Sequence, residues 1–234
     1  LLAYARGGKS ESVHLYLDRQ AEEILTIVGT SLPREIEIQR EYTPGLPPVL
    51  GDAAQLQQVV MNLCINAGDA IKQRAADSYD EHYVGRITLR TSLRKISSAM
   101  REARGLPVGS DKDRFVCFEV QDNGCGMDME TRRRIFEPFF TTKLTGRGLG
   151  LAAVEGIIHN HGGILEVESY VGQGSRFCVL LPAVEGVAPE LPEDELMELG
   201  GTETVLVIDD EEVNRQLVLL TLTNIGHKLS LIHI

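Results

Sequence analysis

The chain has 234 residues, 43% of them hydrophobic, and a formal net charge of −11 at pH 7. That length suits one domain of ordinary core size plus a piece of another, and the acidic balance argues against a nucleic-acid-binding surface. No apolar run is long enough to span a bilayer, and no signal-peptide pattern is present.

The opening LLAYARGG reads as the end of a helix stopped by Gly7 and Gly8. SVHLYL alternates and suggests a first strand or strand-like lead-in, which gives His14 an ordinary structural role. Asp18 to Ser31 follows as a helix, with Ala21, Ile24, Leu25 and Val28 at helical spacing, Asp18 as its cap and Pro33 as its stop. REIEIQREY alternates at Ile36 and Ile38 and predicts a half-buried strand. TPGLPPVLGD is then a loop whose Asp52 caps the next helix.

That helix, Ala53 to about Gln73, carries two arcs. At about 100° per residue, Leu56, Val59, Val60, Leu63, Ala67, Ala70 and Ile71 share one apolar arc of about 120°. Gln55, Gln58, Asn62, Asn66 and Asp69 share a second arc beside it. A core helix needs only the first. Asparagine is a mediocre helix former, and solvated faces usually carry Lys and Glu. A polar face that merely uses Asn is therefore the weaker of two readings, and a ligand site the stronger.

Arg86 to Arg94 is another alternating strand, and the polar stretch from Lys95 to Arg114, with Gly105, Pro107 and Gly109, is a long hairpin loop. FVCFEV, Phe115 to Val120, is β-branched and aromatic enough for a strand. It leads into Asp122, Gly124 and Gly126, then a mobile segment containing FEPFFTTK, then Gly146, Gly148 and Gly150 ahead of an apolar-periodic helix ending near His161. Glycines let a backbone approach a ligand closely, and the free N–H groups of a helix start suit an anion such as phosphate. Ile164 to Ser169 and Arg176 to Leu181 are the last two strands, turned by GQGS. Helices at 18–31, 53–73 and 149–160 with about five mostly antiparallel strands make a two-layer α+β sandwich. The four cysteines, Cys64, Cys117, Cys125 and Cys178, lack a CxxC pair, which points to reduced thiols in a cytosolic protein rather than disulfides or a metal site. Histidines such as His159 and His161, at a helix end, more often satisfy the final carbonyls than bind ligands.

Residues 183–203 form a linker with Glu185, Glu190, Glu193, Asp194, Glu195, Glu198 and Glu203, Pro189 and Pro192, and no Lys or Arg, so self-repulsion keeps it extended. VLVIDDEEVNRQLVLLTLTNIG then reads as a buried strand, an acidic corner and an amphipathic helix. The first residue is not Met, so a fragment of something longer is expected.

NLCINAGDAI, DNGCGM, FEPFF and GRGLGL, in this order, resemble the four boxes of the histidine-kinase ATP-binding domain of the gyrase, chaperone, kinase and mismatch-repair ATPase superfamily. The resemblance covers roughly residues 10 to 182 and implies a Bergerat-type ATP-binding fold with a mixed sheet and three helices on one face. It implies ATP and Mg²⁺ as ligands. Asn66 would hold the Mg²⁺ that bridges the phosphates, an oxygen ligand suited to that hard ion. The Asp122 carboxylate would accept from the adenine amino group, where the plain alternative is a turn residue. Ser175 stands where the family usually has Thr and keeps the hydroxyl. The family motifs also place Asp69, Gly124, Gly126, Met127, Phe136, Phe140, Thr142, Gly146, Gly148, Leu149, Gly150 and Leu151 around the nucleotide. Lys143 and Arg147 would neutralise phosphate charge, although Arg147 also reads as a solvated loop charge. Phe136, Phe139 and Phe140 read as core or hinge anchors for a lid over ATP.

The resemblance further implies the domain plan and the partners. LLAYAR, within residues 1–8, would end a dimerisation and phosphoacceptor hairpin whose histidine lies upstream; 9–182 would be the catalytic domain; 204–234 would begin a receiver domain using Asp209 and Asp210 for Mg²⁺. Terminal LSLIHI continues the receiver pattern poorly and suggests a truncated or artefactual end. The partners would be that hairpin, a receiver in cis or a separate response regulator, and a second copy in the full-length homodimer, with no nucleic acid. The catalytic part would be cytoplasmic in a protein that a membrane anchor can still hold. Related hydrolases place a Glu general base one turn before the metal-binding Asn; here Asn62 stands there and cannot take a proton. This favours a kinase, with Asn62, Asn66 and Lys143 as its catalytic set, over an ATP hydrolase or a non-catalytic nucleotide-binding module.

Overall fold

The computed structural model describes residues 12–29, 32–33, 35–77, 82–97, 99, 102, 113–143 and 148–185, with the backbone of 204–208 and 228–232. In chain order the first unit runs β1 (Val13–Leu15), α1 (Leu17–Val28), β2 (Glu37–Tyr42), β3 (Val49–Gly51), α2 (Ala53–Asp77), β4 (Arg86–Lys95), β5 (Arg114–Asp122), α3 (Met129–Arg134), α4 (Gly150–Asn160), β6 (Ile164–Tyr170) and β7 (Gly174–Pro182). Five strands form one sheet in the order β2-β4-β5-β7-β6, antiparallel except for β2 beside β4. That one parallel pair is possible because α2 supplies the long crossover between its strands. Helices pack on this sheet to give the mixed two-layer α+β architecture that the spacing predicts, with α2 against β4, β5 and β7.

β5 lies at the centre, and Phe115 to Val120 are all buried. Successive side chains point to opposite faces, so the FVCFEV run must be covered on both sides. Phe115 and Cys117 join Ile96, Ile164, Cys178 and Leu180 in one apolar cluster. Glu119, only 8% exposed, shares that face and is compensated from both sides. Arg90 on β4 reaches it at 2.9 Å and Arg176 on β7 at 3.2 Å. Arg90 also pairs with Glu41 on β2, and Arg176 with Glu168 on β6 at 3.7 Å. A charge ladder thus crosses all five strands, and a buried carboxylate is kept only because it is paired.

Several expectations need correction. Val49–Gly51 falls in the predicted loop yet pairs antiparallel with β1. α1 begins after Tyr16, so Asp18 sits in its first turn instead of capping it; α2 runs on to Asp77. The buried side of α2 is wider than the predicted arc, taking in Met61, Cys64 and Gly68, while Ala70 is half-buried. Cys117 and Cys178, 61 residues apart, are joined as a disulfide across β5 and β7, whereas the scattered spacing predicts reduced thiols. Ala183 and Val184, placed in the linker by composition, still bond Arg114 and Pro48 through their N–H groups. Histidine behaves as expected: His161 Nδ1 lies 2.7 Å from the Ile157 carbonyl. Its Nε2 accepts from Asp52 N–H at 3.1 Å, which joins the end of α4 to the start of α2.

The chain's second unit is residues 189–234. In it β8 (Thr204–Ile208) pairs in parallel with β9 (Lys228–Ile232), in register Thr204 with Lys228. KLSLI forms β9.

Leu63 is 0% exposed and Leu50 is 47% exposed. Leu63→Ala should cost about 2–5 kcal/mol in denaturant unfolding, and Leu50→Ala about 0.5 kcal/mol or less.

Candidate functional site

The central strand delivers Asp122 at its end, 4% exposed. Its Oδ1 accepts from Gly124 N–H at 2.7 Å and from Ser175 N–H at 3.3 Å. Burial pushes its pKa up to about 6, against the pull of those two N–H groups. Among the described residues both bonds fall on Oδ1 and none on Oδ2, which suits a donor supplied from outside. The turn around this group admits only glycine at two points. Gly174, at φ 96°, would drive a Cβ into the Asp122 carbonyl oxygen, and Gly126, at φ 66°, into that of Tyr170.

Ser169 Oγ, buried, accepts from Met127 N–H at 2.8 Å and lies 3.1 Å from the Gly174 carbonyl and 3.0 Å from Ser175 Oγ. It ties the two glycine turns to each other and positions the Ser175 hydroxyl. Asn123 instead ties the turn after β5 to the segment that leads into β4. Its Oδ1 accepts from Arg86 N–H at 2.7 Å, its Nδ2 donates to the Val84 carbonyl at 2.8 Å, and Tyr83 Oη donates to its carbonyl at 3.0 Å. Ser169 and Asn123 do not stand in the predicted set. A signal existed for Ser169, since pairing ESY with GSR across the GQ turn sets it opposite Ser175, as β6 and β7 do.

On α2, Lys143 Nζ lies 2.8 Å from Asn66 Oδ1 and 2.8 Å from Asp69 Oδ2. These three predicted residues do converge. Asn62 does not join them: its amide donates to the Gln58 carbonyl at 3.0 Å, one turn back, and its Oδ1 faces Gly150 at the start of α4. The Leu149 side chain gives α4 no cap, so the first-turn N–H groups of Gly150 and Leu151 suit an external acceptor. Gly148, at φ 67°, accepts from Phe139 N–H at 2.9 Å and leaves no room for a Cβ against the Phe139 carbonyl.

The aromatic anchors fall out differently from expectation. Phe139 has φ 69° and is 76% exposed, so it is no core residue. Phe136 and Phe140 are half-buried, with the Arg134 guanidinium 4.3 Å from the Phe140 ring, and the buried anchor is Ile135 instead. The missed helix α3 explains this. Asp128 caps it through Thr131 N–H at 2.7 Å and turns the chain before FEPFF. Thr142 is exposed. Gly146, Arg147, Asp209 and Asp210 lie outside the described residues.

The family model of histidine kinase-, DNA gyrase B-, and HSP90-like ATPases matches residues 51–185. The chain is 33% identical to the sensor kinase CckA of Brucella abortus (strain 2308), over 92% of this chain and 22% of that protein. It is 38% identical to the sensory histidine kinase/phosphatase NtrB of Rhizobium meliloti (strain 1021), over 76% of this chain and 42% of that one. It therefore spans about a fifth to two-fifths of these curated relatives. Among solved structures, full-length ShkA in complex with AMPPNP superposes with a TM-score of 0.59 at 23% identity, covering 98% of this chain and 42% of that one. The catalytic domain of histidine kinase ThkA gives 0.55 at 23%, covering 74% of this chain and 98% of that domain. At these identities the two structures speak for the fold.

Because Asp122 titrates near 6 in place of 3.8, the fold favours its protonated form. Its contribution to stability is full below pH 3.8, is lost as pH rises through about 6, and is worth at most about 3 kcal/mol. Ligand-free Asp122→Asn should lack this loss and unfold at a higher denaturant concentration at pH 7.5. Equal profiles for both proteins between pH 4 and 8 would contradict the burial account.

Proposed function

Since the chain belongs to the family of histidine kinase-, DNA gyrase B-, and HSP90-like ATPases, we propose that it is the ATP-binding catalytic part of a sensor histidine kinase. It holds Mg·ATP and passes the γ-phosphate to a histidine on an upstream helical hairpin, for relay to an aspartate of a receiver domain. The observation that carries this reading is the Asp122 floor, a buried carboxylate whose Oδ1 is engaged by two N–H groups and whose Oδ2 would meet the adenine amino group. Ser175 Oγ, Gly124, Gly126 and Met127 surround the base, and the bare glycine backbone lets it approach closely.

The metal fits the residues present. Asn66 Oδ1 and Asp69 Oδ2 already hold a cation, the Lys143 ammonium, between them. Two hard oxygens with phosphate and water completing the shell are what Mg²⁺ prefers. When bound, the metal neutralises phosphate charge. Everything else is done by the chain. Asn66 and Asp69 would hold the metal end and Asp122 the base end, the uncapped start of α4 with Gly148 and Gly150 would receive phosphate oxygens, and Lys143 and Arg147 would add positive charge. Catalysis by such a site is positioning and electrostatics.

A hydrolase of the same family is the second reading, and Asn62 disfavours it. An amide cannot take a proton from water, and this one is tied back to the Gln58 carbonyl. On the kinase reading, residues 9–182 are the catalytic domain, 183–203 an acidic linker and 204–234 the start of a receiver. The parallel pairing of β8 with β9 is compatible with that last part. The partners are the hairpin, a response regulator or cis receiver, and a second copy, working in the cytoplasm. None of the described helices is long and apolar enough to cross a membrane.

Two measurements test the reading. Asn66→Ala should keep its ligand-free melting temperature, alanine being the better helix former, yet lose most of the stabilisation given by Mg·ATP. An early melt with normal Mg·ATP stabilisation would make Asn66 structural. With γ-labelled ATP and a supplied histidine-bearing hairpin, label should appear on the hairpin. Stable label on His14, His159 or His161 would contradict the proposal.

A further inference from the structure

We propose that Lys143 is an internal counter-cation of the metal site: without nucleotide its ammonium occupies the place on Asn66 and Asp69 that a divalent cation takes, so lysine and metal compete for the same two oxygens. The inference rests on the metal end of the proposed nucleotide site and adds a competition that site does not require.

The geometry is that of a coordination mimic more than of a surface ion pair. Lys143 Nζ makes two bonds of 2.8 Å, one to a carboxylate oxygen and one to a neutral amide oxygen. A lysine seeking only charge would settle on Asp69. Asn66 and Asp69, three residues apart, are neighbours on one face of α2, and the ammonium bridges them from a segment more than seventy positions further along the chain. The other carboxylate oxygen, Asp69 Oδ1, lies 3.9 Å from Lys72 Nζ. Asp69 is therefore already balanced by two cations before any ligand arrives.

Competition follows from charge. An ammonium and a divalent ion cannot share a pair of oxygens at contact distance, because their mutual repulsion at that spacing is large even in a polar medium. The lysine side is easily displaced. Lys143 and Asp69 are 38% and 36% exposed, and an ion pair that open to water contributes little by itself. Metal that arrives with a triphosphate brings new anionic oxygens for the displaced ammonium, whereas metal alone does not. The site is thereby biased toward the metal–nucleotide pair and against free metal. Lys143 on this account is a positioning residue for the metal as well as a phosphate partner.

Mn²⁺ binding to the nucleotide-free protein, followed by electron paramagnetic resonance, reads the competition with no activity involved. Lys143→Met should bind Mn²⁺ at least about fivefold more tightly than the unaltered chain, and Mg²⁺ should displace it. Lys143→Arg keeps a cation in place and should stay close to the unaltered value. The gain should vanish in Lys143→Met with Asn66→Ala. Binding by Lys143→Met that is no tighter than in the unaltered chain, or not measurable, overturns the proposal, as does a gain that survives the loss of Asn66. Because no nucleotide is present, failure to bind ATP would be a separate result that bears on the proposed function alone.

Discussion

Asp122 can sit inside the protein only because two backbone N–H groups reach its Oδ1, and they come from different elements. Gly124 belongs to the turn after β5, and Ser175 to the start of β7. Holding one buried carboxylate therefore fixes the end of the central strand against the β6–β7 hairpin, and the close approach explains why Gly126 and Gly174 have no room for a side chain. Ser169 locks that junction, and Asn123 ties the same turn to the start of β4. The residual cost is visible in the raised pKa: the fold keeps an acceptor that it has not fully satisfied. On the proposed function, the adenine amino group supplies the missing donor.

The long helix α2 divides its labour by face. Leu56, Val59, Val60 and Leu63 are at most 3% exposed and hold the helix on the sheet. Asn66 and Asp69, on the neighbouring arc, meet Lys143 instead of core. Packing fixes the rotation of the helix, and the rotation aims the two oxygens. Chemistry at this end of the site thus depends on core residues that touch no ligand, while Asp122 at the other end depends on turn glycines.

Features set by local periodicity were legible in the sequence: the β5 run, the two arcs of α2, the turn glycines and the alternating strands. The order of four boxes pointed to the family before any geometry. What was missed is short or non-local. β3 has three residues beside two prolines, α3 has six, and neither is long enough to show a period. The Cys117–Cys178 bond, the charge ladder through Glu119 and the bridge from Ser169 to Ser175 depend on strand order and register, which spacing along the chain does not encode. Phe139 misled because an aromatic in a hydrophobic motif reads as core, whereas its positive φ turns it outward. Asn62 has the spacing of the site, and its amide donates back to the Gln58 carbonyl while its Oδ1 faces Gly150.

The central claim is that Asp122 reads the amino group of adenine. It is tested most directly by titrating ATP and inosine triphosphate, which differ at that group, into the unaltered protein and into Asp122→Asn. The unaltered protein should prefer ATP by tenfold or more, in keeping with about 1.5–3 kcal/mol for a hydrogen bond to a charged group. Asp122→Asn should lose or invert that preference, since an amide can donate to the carbonyl of the inosine base. An undiminished preference for ATP in Asp122→Asn would contradict the account.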